Sequence, residues 1–454
     1  MLRLAHGSSH RRADHGGTDT TVINPRRGIV SPHTTVLIRD GRIVSVRPAA
    51  AKLPRGTRHI DGRGKYLIPV LWDAHTHIGK TGANSLSLLL ANGITGIRDM
   101  GSNLAETLAW SREIATGRRA GPRIRTSGPM LEARSNIERM RREETVEDVD
   151  RQRIGVANPK EARAAVQALA RAGVHQIKMR TTPDLATFRA VADEAAKRGL
   201  PFAAHPAGPL EEMIDSGLDS LEHFLTVPPL ETNEAERRAL FRRLAGAKLR
   251  VTNTFTVYRG VMTPYEQGRA ILAGAPGHRD PNRKYICGYL LKDWAEQLDE
   301  SRQGGFGAFE PMLPHFYRDF REMHEEGVAL LAGSDAAVMF TYPGFSLHDQ
   351  IELMAGEMKL APMDVLRIAT DGLPAYFGES AQAGAIEAGQ AADLVLLDAD
   401  PLAAIGNTRR IRGVMAQGRW FGRSALDRLL RRVERDSAGS CKGGSTAGRA
   451  SLLR

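Results

Sequence analysis

The stretch YLIPVLWDAHTHIGKTG (66–82) ends an apolar run on two imidazoles, His75 and His77. In an extended strand residues i and i+2 project to one face, so Asp73, His75 and His77 point together while Ala74 and Thr76 face away. Neutral imidazoles are good ligands for a divalent metal, and a same-face pair supplies half of a tetrahedral shell. The tripeptide alone carries little weight, because His-x-His also arises as an ordinary surface pair. Further ligands have to come from the rest of the chain.

Outward from this strand, apolar strand-like runs alternate with amphipathic ones from about 66 to 370. Strands are expected at 67–75, 94–99, 122–127, 174–179, 200–205, 219–223, 249–255 and 328–334, with helical stretches such as PKEARAAVQALARAG (159–173) and PDLATFRAVADEAAKRG (183–199) between them. Eight strands separated by helices favour an α/β chain folded as a (β/α)8 TIM barrel over an open doubly wound sheet. Before it, TTVLIRDGRIVSV (34–46) has an Asp-Gly turn at Asp40 and Gly41; after 383, AGAIEAGQAADLVLLDADP and IRGVMAQGRW return to short β segments. Both chain ends are therefore expected in one small β-sandwich. The resulting division is a disordered extension (1–19), the first part of the sandwich (20–62), the barrel (63–382), the second part of the sandwich (383–421), and a basic helix with a flexible tail (422–454).

Composition fits an enzyme of ordinary size. The 454 residues are 42% hydrophobic and 25% charged, values of a soluble globular protein. No run of 18 apolar residues is present, so no membrane partner is expected. The N-terminus lacks the apolar core of a secretory signal. Cys287 and Cys441 are far apart and imply no disulfide framework, which makes the cytoplasm the default location. The net charge of +11 lies mostly in the tails: residues 421–454 carry eight Lys/Arg against three Asp/Glu, and residues 1–27 carry five against two. SALDRLLRRVERD (424–436) reads as a terminal helix packed on the body rather than as an RNA-binding or membrane-surface helix, so no nucleic acid is expected.

In a barrel, active residues sit at the C-terminal strand ends. HQIKMR ends the fourth strand with Lys178, LPFAAH the fifth with His205, LDSLEHF the sixth with His223, and ALLAGSDA the eighth with Asp335. Singly, each has a bland reading: a snorkelling lysine, hydrogen-bonded core histidines, a helix cap. Four such residues in strand order, with His-x-His on strand one, are hard to obtain by accident.

At this point the chain resembles the amidohydrolase superfamily, in particular the dinuclear-metal branch of imidazolonepropionase-like hydrolases, bacterial prolidases and ochratoxinase-type amidases. The likeness runs from about 34 to 421 through DGRIVSV, LIPVLWDAHTHIG, GITGIRDMG, GPRIRTSG, IKMR, AAH, LEHF, GSDA, AGAIEAGQAADLVLLDADPL and VMAQGR. It implies two divalent metal ions. His75, His77 and Asp335 would hold one, His205 and His223 the other, and a carboxylated Lys178 would bridge them. A carbamate is an anionic two-oxygen ligand and an ammonium is not; its formation needs the neutral amine, which burial favours. Histidines with oxygen ligands suit zinc ahead of manganese. The implied chemistry is attack by metal-bound hydroxide, with Asp335 as general base and then acid. Asp73 is assigned a supporting rather than a ligating role.

Other residues narrow the substrate. Deaminases of this superfamily carry an acid three positions after the strand-five histidine, where this chain has Gly208, so deamination is disfavoured. Arg180 follows Lys178 by two and should face the same cavity, and Tyr258 and Arg259 could overhang it. A guanidinium there suits a substrate carboxylate, although a rim salt bridge for Arg180 and a solvated charge for Arg259 are the plain readings. Arg98 and Asp99 are expected to pair with each other or with loop backbone. The segment 260–317 is an insertion whose Tyr285, Tyr289 and Trp294 either line a pocket or pack on the insertion itself. His278, His315, His324 and His348 are assigned no metal. Two departures stand out: Val70 replaces the usual glycine, and MLEARSNIERMRREETVEDVDRQR (131–153) is charged and helix-like where relatives carry Gly-Gly-His.

The expected function is hydrolysis of an amide C–N bond in a small molecule such as a dipeptide or N-acyl amino acid. Alternatives are ester, lactone or phosphotriester hydrolysis at the same centre, and a non-catalytic binding protein on this fold. Such barrels often pair, so a homo-oligomer is left open.

Overall fold

The computed structural model describes residues 15–49, 54–143, 149–223, 232–278, 280–304 and 310–439. Five strands precede the barrel region: β1 (His15–Asn24), β2 (Ile29–Arg39), β3 (Arg42–Pro48), β4 (Arg58–Asp61) and β5 (Tyr66–Pro69). The extension expected over 1–19 overlaps β1, in which His15 to Thr18 already pair with neighbouring strands; residues 1–14 lie outside the described residues.

Ten parallel strands follow. β6 (Leu71–Thr76), β7 (Ile94–Asp99) and β8 (Arg123–Thr126) form one sheet. β9 (Met130–Ala133), β10 (Arg153–Val156), β11 (Ile177–Met179), β12 (Phe202–Ala204), β13 (Ser220–Glu222), β14 (Arg250–Asn253) and β15 (Leu330–Ala332) form a second, in the order β10-β9-β11-β12-β13-β14-β15. Backbone bonds join the two sheets. On one side the Asp335 amide donates to the His75 carbonyl at 2.8 Å and that of His77 to Ala336 at 3.1 Å; on the other, His175 donates to Thr126 at 2.9 Å. With helices between the strands, the arrangement fits a TIM-like barrel.

Strands from both chain ends share one outer sheet. β16 (Leu394–Leu397), β17 (Ile411–Ala416) and β18 (Arg419–Gly422) extend it in the order β18-β17-β16-β5-β1-β2-β3, with β4 on β1. The expected sandwich is thus seen as a single hydrogen-bonded sheet of eight strands. Its apolar face includes Val22, Val36, Ile38, Leu67, Leu394, Leu396 and Met415.

The opening stretch is two strands, not one. β5 pairs with β16 and β1, β6 pairs with β7, and the Val70 amide between them donates to Asp393 at 3.2 Å. An apolar run buried on both faces hides such a switch of sheet, since both halves have the same composition. The charged segment 131–153 is likewise more than helix. Arg134–Glu143 is helical, but β9 and β10 flank it; four-residue strands containing Glu132 and Arg153 lack an alternating signature.

The long helices follow their local signals. Asn158 caps Pro159–Ala172 by accepting the Glu161 amide, Pro159 starts the helix, Gly173 ends it in a left-handed conformation, and Ala162, Ala165, Val166 and Leu169 are its buried stripe. Arg423–Ala438 is the expected terminal helix, with Leu426 and Val433 buried against the body. Beside it, Cys287 is disulfide-bonded. This corrects the expectation of no disulfide; Cys441, the other cysteine of the sequence, lies outside the described residues. No helix among the described residues is long and apolar enough to cross a membrane.

Tight packing beneath the centre gives a sharp stability test. A Cβ at Gly96 on β7 would lie 2.2 Å from the buried indole of Trp72 on β6, the residue before Asp73. Gly96→Ala is expected to cost about 1–3 kcal/mol through overpacking, read as a lower denaturant midpoint at unchanged slope.

Candidate metal centre

The strand ends bring the expected ligands to one place. His75 lies on β6 with His77 just beyond it, and Lys178 lies on β11; His205, His223 and Asp335 follow β12, β13 and β15. His77 Nε2 is 3.2 Å from Asp335 Oδ1, His75 Nε2 is 3.6 Å from the same oxygen, and His223 Nδ1 is 3.8 Å from Asp335 Oδ2. The His75 ring centre is 5.3 Å from that of His77 and 4.4 Å from that of His223; His205 is 4.9 Å from His223. Ligand atoms of His75, His223 and Asp335 lie within 4.8 Å of one another, a spacing that could hold a metal ion.

Backbone conformation contributes to this convergence. His223 (φ 62°) and Asp335 (φ 54°) adopt the left-handed region, which is costly for non-glycine residues and marks functional sites. The turn at His223 breaks strand alternation, so Glu222 and His223, adjacent in sequence, both reach the centre. Asp335 is held by its amide bond to His75 and by the Thr341 hydroxyl, which donates to its carbonyl at 3.1 Å.

Electrostatics prepares the side chains for ligation. Burial lowers His75 to about 4 and His223 to about 3, and pushes His205 well below the usual imidazole value, so all three rings are neutral at pH 7. Burial alone would raise Asp335, but the imidazoles of His75, His223 and His77 hold it far below the usual carboxylate range. Burial also pulls Lys178 down to about 7. Among the described residues neither its buried Nζ nor His75 Nε2 has a hydrogen-bond partner. Two orphaned polar atoms at one spot would each cost about 1–3 kcal/mol; cations bound there would remove that cost, so the donor set fits divalent metal.

The amidohydrolase family pattern matches residues 66–421, most of the chain. The chain belongs to the amidohydrolase family. It is therefore an enzyme, a metal-dependent hydrolase acting on carbon–nitrogen bonds. No curated protein matches it. Solved structures share its fold at low identity: bottromycin amidohydrolase (21% identity, TM-score 0.73, 94% of this chain and 91% of that one), a prolidase complexed with N-methylphosphonate-L-proline (23%, 0.65, 90% and 100%) and A. niger ochratoxinase (18%, 0.65, 90% and 96%).

A buried support lies under the amidohydrolase centre. His75 Nδ1 is 2.8 Å from Glu222 Oε2, so the ring donates there and leaves Nε2 free as ligand. Burial would raise Glu222, but Arg98 and His75 hold it well below the usual range. The fully buried Arg98 donates to Glu222 at 2.7 Å, to the Ala74 carbonyl at 2.6 Å and to Thr252 at 2.8 Å. Of the two expected outcomes, pairing with each other or with loop backbone, the first is not seen: Asp99 accepts from Ser102, Thr126 and the backbone amide of Ile78. Glu222 escaped the sequence reading; its one signal was an acid inside the buried run LDSLEHF, next to a histidine. Asp73 accepts the Ser334 hydroxyl at 2.6 Å and amide at 2.9 Å, tying β6 to the residue before Asp335, in line with its supporting role.

The expected substrate contacts divide. Arg180 lies beside the centre: its charge acts on both Lys178 and His205. Tyr258 instead packs against Phe255 and Phe316. Arg259 lines a separate cavity of about 820 Å³ with Met262, Tyr317, Arg321 and Glu357, a lining that includes none of the six candidate ligands. In the insertion, Trp294 donates to the Ala337 carbonyl at 3.0 Å, Tyr289 to the Lys80 carbonyl at 3.1 Å, and Asp293 pairs with Lys80 at 2.9 Å. Its aromatics thus brace the loops after His77 and Asp335. His348 is buried between Thr408 and the Asn92 carbonyl, and His324 lies 3.6 Å from Asp364, both away from the centre.

Proposed function

We propose that the chain is a dinuclear amidohydrolase that cleaves the amide of a dipeptide or N-acyl amino acid. The observation that carries this reading is the convergence of buried ligand atoms on His75, Lys178 and Asp335 among neutral imidazoles, those of His75 and Lys178 without a hydrogen-bond partner among the described residues. His75, His77 and Asp335 would hold one ion, His205 and His223 a second, and Lys178, carboxylated, would bridge them on a closed (β/α)8 barrel. Zinc suits this donor set best. When bound, such cations acidify a water and polarise a carbonyl.

The chain's own residues supply the rest. Asp335, ionised and bordering His75, His77 and His223, is placed to take the proton of the attacking water and pass it to the departing nitrogen. Glu222 fixes the His75 tautomer, and Arg98 keeps Glu222 ionised. Arg180 supplies positive charge for a substrate carboxylate. Similarity in fold to a prolidase complexed with a phosphonate of proline supports a dipeptide-like substrate. The Cys287 disulfide favours a compartment that permits disulfides over the cytoplasm expected from the sequence.

Elemental analysis of zinc-supplemented protein, with a panel of dipeptides, N-acyl amino acids, esters and phosphotriesters, tests the proposal. About two metals per chain and preferential amide turnover are expected. Faster ester or phosphotriester turnover would replace the amide reading, and a metal-free, inactive protein would return the binding-protein alternative.

A further inference from the structure

On the strands next to that of Lys178 lies a charge cluster around Arg180. The Arg180 amide donates to the Leu131 carbonyl at 2.9 Å, carrying the β11–β9 ladder one residue past Met179. Alternation therefore continues, and Arg180 leaves the same face as Lys178. Met179 is opposite Leu131, which puts Glu132 on the face of Lys178 and Arg180. On the other side of β9, Arg153 is opposite Met130 and Gly155 opposite Glu132, so Arg153 also points to that face.

The side chains meet there. Glu132 is fully buried; its Oε2 accepts from Arg153 at 2.6 Å, and its Oε1 accepts from Arg180 at 3.4 Å, from Asn136 at 2.6 Å and from the Thr181 hydroxyl. Two guanidiniums share one carboxylate, leaving one positive charge uncompensated in the set. Arg153 Nε is buried without a hydrogen-bond partner among the described residues. Arg180 is 39% exposed in its side chain, and its ion pair among the described residues is the long one to Glu132. A guanidinium offers five donors in a planar fork, so donors remain on both arginines.

We propose that Arg153 and Arg180, spread and held by Glu132, form a two-arginine subsite for the carboxylate of the substrate's C-terminal residue. The assignment rests on the amide-hydrolase reading and deepens it: the substrate class becomes N-acyl amino acids and dipeptides with a free α-carboxylate, and uncharged amides become poor substrates. Arg153 comes from the charged segment 131–153.

Matched N-acyl amino acids and their carboxamides, assayed with the zinc-loaded full chain, test it. Wild type is expected to favour the acid by about 10²-fold in kcat/KM, the scale of losing a buried charge-assisted pair. In Arg180→Gln and Arg153→Gln that ratio should fall toward one, mainly through KM, with Arg180→Lys recovering part of it. A wild-type ratio near one, or a ratio unchanged in both variants, overturns the subsite. Should Arg153→Gln fail to fold, the partly exposed Arg180 carries the test. If the protein turns over esters and no amides, the amide reading falls, yet esters with and without a second carboxylate still read the subsite by the same ratio. With no turnover at all, calorimetric binding of the acid against its carboxamide decides it: equal affinities overturn it.

Discussion

Asp335→Asn is expected to lower kcat by about 10³-fold or more, with KM changed much less. General acid–base catalysis by one positioned side chain contributes about 10²–10⁴-fold, and asparagine cannot carry the proton. The substitution keeps the shape and the backbone bonds to His75 and Thr341, so the fold should persist. It removes the anion that borders His75, His77 and His223. Elemental analysis, thermal melting and kinetics on the same zinc-supplemented preparation separate the effects. Loss of rate at full metal content assigns proton transfer to Asp335; loss of rate and metal together assigns ligation. A variant within tenfold of wild type would remove Asp335 from the chemistry.

Lys178→Ala is expected to be nearly as damaging, at about 10²-fold or more in kcat, with a drop from two metals toward one. The buried Nζ has no hydrogen-bond partner among the described residues, and burial brings the amine to about 7, so a substantial neutral fraction exists at pH 7 and grows as pH rises. Only that neutral form adds carbon dioxide. Protein prepared with ¹³C-bicarbonate should give a carbamate signal by NMR that is missing in the variant. The vacated space would admit formate or acetate, which can replace the lost carboxylate, so partial rescue by these anions and not by chloride is expected. Full activity of the alanine variant, or no carbamate in active wild type, would defeat the bridging role.

The candidate ligands were legible in the sequence because each stands where an apolar run stops, at the carboxyl end of a parallel strand. Less legible were the buried partners of those candidates. Glu222 and Arg98 are 124 residues apart and meet below His75, and neither lies in a periodic pattern that marks a contact. The strands β9 and β10 were hidden for a related reason: Glu132 and Arg153 fill interior positions where apolar residues are expected, because each neutralises the other across the ladder. Tyr258 and Arg259 were judged by sequence distance from a strand end, whereas the helix Phe255–Val261 turns them toward Phe316 and a separate cavity.

Order along the chain, amphipathic helices with their caps, and the chemistry of the six candidate ligands were set by the sequence alone, since these depend on residue type and short-range spacing. Only the tertiary structure decided that the run 66–76 splits between two sheets, that Arg98 serves Glu222 rather than Asp99, and that Arg153 joins Arg180 on one carboxylate. Such outcomes depend on which distant groups are buried together. A buried charge takes whichever partner three-dimensional packing brings within hydrogen-bond reach.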